Sequence, residues 1–248
     1  MNPWAGSFNA VLASTMKTGV YVSPRYLPFG DAALLVEFGD TISPEANCRV
    51  IDLNDTILRA NINGVEELVP TYRSLLVRYD PLKTSYEQVV FRVRDLEKTL
   101  EASVNRKKGR KIVVPVVYGG EYGPDLGHIA RVHGLTEEQV IRLHSGREYR
   151  VYMIGFVAGF PYLGMVADEI ATPRLETPRL KVPAGSVGIA EKQTGIYPRE
   201  APGGWQIVGR THLRLFDLRL EPPAFLTSGD TVKFRPMSED EYKAESER

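Results

Sequence analysis

Residues 182–208 read VPAGSVGIAEKQTGIYPREAPGGWQIV, and this stretch decides the fold. Two apolar runs, Val182–Ala190 and Gln206–Val208, are set apart by Gly/Pro clusters that would break any helix. The same texture extends from Glu148 to about Pro236, with further runs at Leu213–Leu218 and Thr231–Phe234 and no helical period longer than two turns. Many short strands joined by Gly/Pro turns predict a β-barrel or sandwich.

Upstream of this region the pattern changes. Asp125–His133 is followed by Gly134-Leu135, and Thr136-Glu137-Glu138-Gln139 forms a capping box in which threonine and glutamine satisfy each other's free N–H groups, with Leu135 and Val140 placed as its hydrophobic staple. The unit resembles a helix-turn-helix. Glu137 and Glu138 at the start of its second helix would repel phosphate, so it is read as a packing hairpin. Nearer the amino terminus, Arg25–Phe29 and Ala33–Phe38 read as strands about Gly30-Asp31. Ser43-Pro44 then opens a helix with Ala46, Val50, Leu53 and Ile57 on one face, closed at Gly64. Glu66–Thr71 and Ser74–Tyr79 are two more strands, and Ser85-Tyr86-Glu87-Gln88 caps a helix carrying Val89, Val93, Leu96 and Leu100. The order ββαββα, followed by a strand at Lys111–Val117, predicts a small α+β sandwich with helices on one face of a sheet.

The expected organisation is therefore an extension over 1–20, an α+β domain over 21–108, a mainly-β domain over 109–237 with a helical hairpin near its start, and a frayed charged tail over 238–248. The basic run Arg106–Lys111 is read as a solvated linker, and Met16 as an alternative start.

Composition narrows the function classes. The chain has 248 residues, with 31 Lys+Arg against 31 Asp+Glu; this balance argues against binding nucleic acid or anionic membranes, which calls for a basic excess. Cys48 is the only cysteine, so no intrachain disulfide is possible and a reducing, cytoplasmic setting fits. Residues 1–16 lack the basic start and continuous apolar run of a signal peptide. Val151–Ala167 is uncharged, but Gly155, Gly159, Pro161 and Gly164 fall inside it, so it reads as a strand entering an aromatic loop rather than a membrane helix. His128, His133, His144 and His212 show no metal-ligand spacing, and neither a Gly-x-Ser-x-Gly elbow nor a Walker phosphate loop occurs. No metal, and no catalytic group, is assigned.

What stands out lies between 155 and 210. Phe156, Phe160 and Tyr162 sit among glycines. Thr172-Pro173-Arg174-Leu175 recurs as Thr177-Pro178-Arg179-Leu180, with Lys181 adjacent. Gly185-Ser186, Gln193, Tyr197 and Trp205 follow. Arginines give carboxylates or phosphates bidentate partners, and ordered glycines expose backbone N–H donors. One reading is an anionic-ligand pocket walled by the aromatics. The other is a set of barrel turns with core aromatics, the arginines pairing with Glu176 or Glu200.

The segments GFVAGFPYLG (155–164), the paired TPRL, PAGSVGIA (183–190), KQTGIYP (192–198) and PGGWQIVGRT (202–211), in this order and spacing, resemble the KipI / PxpB family. Its members are B subunits of 5-oxoprolinase, often labelled allophanate hydrolase subunit 1. FGDAALLVEFG (29–39) and SLLVRYDP (74–81) resemble its amino-terminal domain, so the resemblance runs from about Tyr26 to Pro236; residues 1–20 have no counterpart, and Ala158 stands where many members carry proline. The resemblance implies a cyclophilin-like barrel after the α+β domain. It also implies a protein that works with the A and C subunits to open 5-oxoproline to glutamate, with ATP used by the assembled complex and no cofactor bound by this chain alone. Phosphorylating the lactam oxygen would turn an unreactive amide into one that water can attack. In that setting Arg174, Arg179 and Lys181 are expected to hold a carboxylate or phosphate, and the Gly185-Ser186 backbone to donate to developing negative charge. Gln193 and Tyr197 would orient polar atoms, and Phe156, Phe160, Tyr162 and Trp205 would wall the pocket. Other members of the family inhibit a sensor histidine kinase or serve as carboxyltransferase parts, and these are the alternative functions.

Overall fold

The chain divides into two compact units, Met1–Arg106 and Lys107–Arg248. The computed structural model describes residues 19–101 and 109–247. The extension up to residue 18, the alternative start at Met16 and Arg106–Lys108 of the linker lie outside the described residues.

The first unit runs β1 (Val20–Pro28), β2 (Ala33–Gly39), α1 (Pro44–Ala60), β3 (Val65–Pro70), β4 (Ser74–Tyr79) and α2 (Tyr86–Glu101). Its strands form an antiparallel sheet in the order β1-β2-β4-β3. Ser43 Oγ accepts the Ala46 N–H at 3.0 Å, and Pro44 fills the first helical turn, where no N–H is needed. Ser85 and Gln88 cap α2 reciprocally, at 3.3 and 3.2 Å. Val50, Leu53 and Ile57 of α1 and Val89 and Val93 of α2 share one core with Leu34, Val36, Leu75 and Val77 of the sheet. Helix α1 ends before Gly64: Asn61 takes the left-handed conformation (φ 44°) and its N–H caps the Ile57 and Leu58 carbonyls, a role an amide residue tolerates.

The second unit runs β5 (Lys111–Tyr118), α3 (Leu126–His133), α4 (Glu137–Ser145), β6 (Glu148–Ile154), β7 (Pro161–Gly164), a 3-10 turn (Asp168–Ile170), β8 (Arg179–Val182), β9 (Ser186–Ala190), β10 (Gln193–Ile196), β11 (Ala201–Gly203), β12 (Gln206–Arg210), β13 (Thr231–Pro236) and α5 (Glu239–Ser246). Seven strands close a barrel in the order β10-β7-β6-β13-β5-β12-β9, while β8 and β11 form a separate two-stranded ribbon. A ring of seven cannot alternate direction all the way round, so one neighbouring pair must be parallel. That pair is β5 with β13, in unbroken register from Thr231↔Lys111 to Pro236↔Val116.

Through this pairing β5 belongs to the barrel, its partner lying far downstream in the chain. The pairing also removes part of the expected solvated linker. Arg110 donates to both carboxylate oxygens of Asp230 and to the Phe225 carbonyl, and Lys111 pairs with Glu148. Leu213–Leu218 forms no strand; an isolated bridge joins Phe216 to Ala224, and Asp217 binds Arg219. The tail is not frayed: Ser238 and Glu241 cap α5 reciprocally, and Tyr242 packs its ring 4.9 Å from that of Tyr122.

Val116, Val151, Leu163, Val187, Ile189, Val208 and Phe234 fill the barrel, joined by Leu126, Ile129 and Val140 of the α3–α4 hairpin. An imidazole shares this interior with the phenols of Tyr118 and Tyr149. His144 is fully buried, with Nδ1 2.8 Å from the Tyr118 hydroxyl and Nε2 2.9 Å from Thr194 Oγ1. Thr194 donates its proton to the Gly188 carbonyl at 3.0 Å, so it accepts from Nε2–H, and Nδ1 accepts from Tyr118. Burial pushes His144 down to about 3, so the ring is neutral.

Candidate functional site

The outer side of the same strands carries a second cluster. In β9, Val187 and Ile189 belong to the barrel core, so Gly188 and Ala190 face outward; in β10, Thr194 and Ile196 are inward and Gly195 outward. Gly188 and Gly195 are register partners. A Cβ at Gly188 would stand 3.0 Å from Cβ of Trp205, and one at Gly195 2.9 Å from the Phe160 ring. The glycine pair is therefore a seat for two large aromatics. Centred on buried Phe160, ring centroids lie at 4.9 Å (Tyr162), 5.1 Å (Tyr197), 5.4 Å (Trp205) and 5.7 Å (Phe156), mostly edge-to-face. Such pairs each add roughly 0.5–1.5 kcal/mol beyond area burial and fix ring orientation.

These five aromatics, with Arg174, Pro178, Pro202, Gly203 and Gly204, line a cleft of about 240 Å³. Among the described residues that line it, Arg174 is the one cation; it lies 6.0 Å from the Trp205 ring centroid, and no described carboxylate pairs with it. Burial pushes the Tyr162 and Tyr197 phenols up; the Arg174 charge opposes this at both, as does a hydrogen bond from the Trp205 backbone at Tyr197. Both phenols therefore hold their protons at neutral pH. The cleft offers flat apolar walls, phenolic side chains and one guanidinium that no described carboxylate neutralises, a set suited to a small ring bearing an anionic group.

Of the residues predicted for the site, Phe156, Phe160, Tyr162, Arg174, Tyr197 and Trp205 come together here. Arg179 is not available as an anion clamp: its Nη2 donates to Asp125 Oδ1 at 2.7 Å and its Nη1 reaches the Trp205 carbonyl at 3.5 Å. Lys181 is exposed, 3.4 Å from Glu200, a glutamate expected to pair with the arginines instead. The Gly185 N–H donates to the Tyr197 carbonyl at 2.7 Å and the Ser186 N–H to the Pro183 carbonyl at 3.3 Å, so neither is free for an oxyanion. Gln193 opens β10 and lies outside the cleft lining.

Two parts of the site escape a reading of the sequence. Asp125 carries no local signal of its partners, and the Pro178/Pro202–Gly204 rim looks like turns alone. A larger cavity, about 780 Å³, lies in the first unit between Ala60–Asn63 and α2. Several of its polar groups face one another or their neighbours: Lys83 pairs with Asp80, Asp95 with Lys98, and Gln88 caps Ser85. With the single ring of Phe91, it gathers less chemistry than the barrel cleft. Among the described residues no group of three or more His, Cys, Asp or Glu side chains could hold a metal, and no helix is long and apolar enough to cross a membrane.

Comparison with known proteins supplies what geometry alone does not. The family described as "Carboxyltransferase domain, subdomain C and D" matches residues 24–226. The B subunit of 5-oxoprolinase from Bacillus subtilis (strain 168) is 42% identical over 230 residues, covering 88% of this chain and 95% of that protein. Among solved structures, TTHA0988 is 36% identical with a TM-score of 0.74 over 83% of this chain, which spans 40% of that longer chain. The Kluyveromyces lactis urea carboxylase, 21% identical, shares the fold at a TM-score of 0.72 over 92% of this chain and 24% of that one. The chain therefore belongs to the carboxyltransferase subdomain C and D family, and within it to the KipI / PxpB family of 5-oxoprolinase B subunits.

Proposed function

We propose that this chain is the B subunit of an ATP-dependent 5-oxoprolinase in the cytoplasm, opening 5-oxo-L-proline to L-glutamate together with the A and C subunits. The observation that carries the reading is the 42% identity extending over 95% of the Bacillus subtilis B subunit. The cleft supports it. A five-membered lactam is a small ring with a carboxylate, and the aromatic walls and Arg174 match those two parts. The Tyr197 hydroxyl, which accepts from the Trp205 backbone, can donate its own proton to the lactam oxygen. ATP is used by the assembled complex, and this chain alone binds no cofactor.

The test is glutamate release from 5-oxoproline and ATP by this chain alone, by the A and C subunits alone, and by all three. Activity in the full mixture only is the expected result; activity of A and C without this chain overturns the reading. In the active mixture Arg174→Ala should raise KM for 5-oxoproline by roughly ten- to a hundred-fold, the loss of one charge-assisted contact. An unchanged KM would remove the cleft as the carboxylate site. The carboxyltransferase alternative is favoured by one observation, the fold shared with urea carboxylase. It predicts carboxyl transfer from a carboxybiotin-bearing partner, which the oxoprolinase reading does not.

A further inference from the structure

We propose that Asp125 is the positioning residue of the cleft and that Arg179 is its intermediary. This rests on the cleft being the substrate site, and it assigns Arg179 a role different from binding the anion. Asp125 precedes α3, the place of an N-cap, yet its side chain makes no cap bond. Its two carboxylate oxygens are turned the other way and divided between two parts of the wall. Oδ2 accepts the Ile207 N–H of β12 at 2.6 Å, and Oδ1 accepts Arg179 Nη2 of β8 at 2.7 Å. The backbone adds a third tie, Asp125 N–H to the Ile207 carbonyl at 2.9 Å.

From these two anchors the geometry runs to the cation. Arg179 reaches the Trp205 carbonyl, two residues before Ile207. Next to Trp205, the Gly204 carbonyl accepts the Leu175 N–H at 2.7 Å, and Gln206 Nε2 donates to the Pro173 carbonyl at 2.9 Å. Arg174 thus sits between two residues that are each tied to a neighbour of Trp205. Asp125 is itself buried, so its ion pair with half-buried Arg179 is shielded far better than a surface pair. Removing its charge frees one guanidinium and loosens the strap that carries Pro178 on one side and Arg174 on the other. Nothing in the arrangement requires either residue to touch substrate.

The experiment uses Asp125→Asn, whose side-chain oxygen still accepts from Ile207 but whose amide cannot pair with Arg179. In a Trp4→Phe background Trp205 is the only tryptophan, so its emission reports the wall directly, without any partner subunit. Asp125→Asn should shift that emission to the red while far-UV circular dichroism stays unchanged. In the assembled complex it should raise KM for 5-oxoproline roughly tenfold with kcat within about twofold, as expected for lost positioning of one binding contact. Arg179→Gln should do the same, and the double variant should be no worse than either single, because both act through one link. Arg179→Lys keeps the charge beside Asp125 and loses the reach to Trp205, so its emission shift should be smaller and in the same direction. That variant decides the matter if Asp125→Asn does not fold. Folded variants with unchanged Trp205 emission, or additive effects in the double variant, overturn the proposal. A red shift in a complex with no oxoprolinase activity would overturn the functional reading and leave the positioning role standing.

Discussion

Strands β9 and β10 present two surfaces with opposite characters. Their inner side carries Val187, Ile189 and Ile196, fully buried, with Thr194 completing the hydrogen bonds of a neutral histidine. Their outer side carries a glycine pair, on which aromatic rings are seated beside Arg174. The inner surface has its side chains matched and buries apolar area at about 25 cal/mol per Å², so it supplies stability. The outer surface leaves a positive charge that no described carboxylate neutralises inside a shaped cleft, so it supplies recognition. Because strand side chains alternate, the same short strands serve both purposes without compromise.

Four substitutions or conditions can break that division, in descending order of effect. Phe234→Ala removes a fully buried ring stacked 4.6 Å from His144; it should cost about 3–5 kcal/mol in denaturant unfolding while Trp205 emission stays put. If the emission moved as far as it does on unfolding, the two surfaces would not be separable. Acidification is next. His144 titrates near 3 when folded and about 6.5 when unfolded, so the unfolded chain takes up a proton that the folded one refuses. Stability should be full above pH 6.5, fall as pH drops below it, and level off near pH 3, a loss of a few kcal/mol; His144→Gln should flatten that slope.

Gly195→Ala attacks the outer surface. Its Cβ would meet the Phe160 ring and the Pro161 carbonyl, both at 2.9 Å. The expected cost is about 1–3 kcal/mol with a clear change in near-UV circular dichroism, since the rings must move. Lys181→Ala should be the mildest. Its pair with Glu200 is largely exposed, and neither melting temperature nor KM should change measurably.

Local chemistry is legible in the sequence, and distant pairing is not. The caps at Ser43, Ser85 and Thr136 are i to i+3 events, and each stands where its spacing predicts. Ser238-x-x-Glu241 carries the same signal, but the surrounding charge obscures it and makes the segment look like a frayed tail. The aromatic walls are visible as residue types next to glycines. The arginines are visible too, but not their partners. Arg174 and Arg179 occupy equivalent positions in a near-repeat, and only the fold puts Asp125, 54 residues away, against one of them. For the same reason the strand at Lys111 carries no sign of its parallel partner β13, since periodicity gives a strand's faces and not its neighbour.

The parallel pairing of β5 with β13 has a mechanical consequence. These are the first and last strands of the barrel, and their six-residue register is unbroken. Parallel neighbours that begin and end a ring admit the chain at one end of the barrel and release it at the other. Tension applied through the two ends of this unit therefore acts along the strands and loads the whole β5–β13 ladder at once, rather than peeling it one hydrogen bond at a time. A barrel closed in this way should yield late and abruptly when stretched, with the Arg110–Asp230 clasp at the entrance to β5 resisting first.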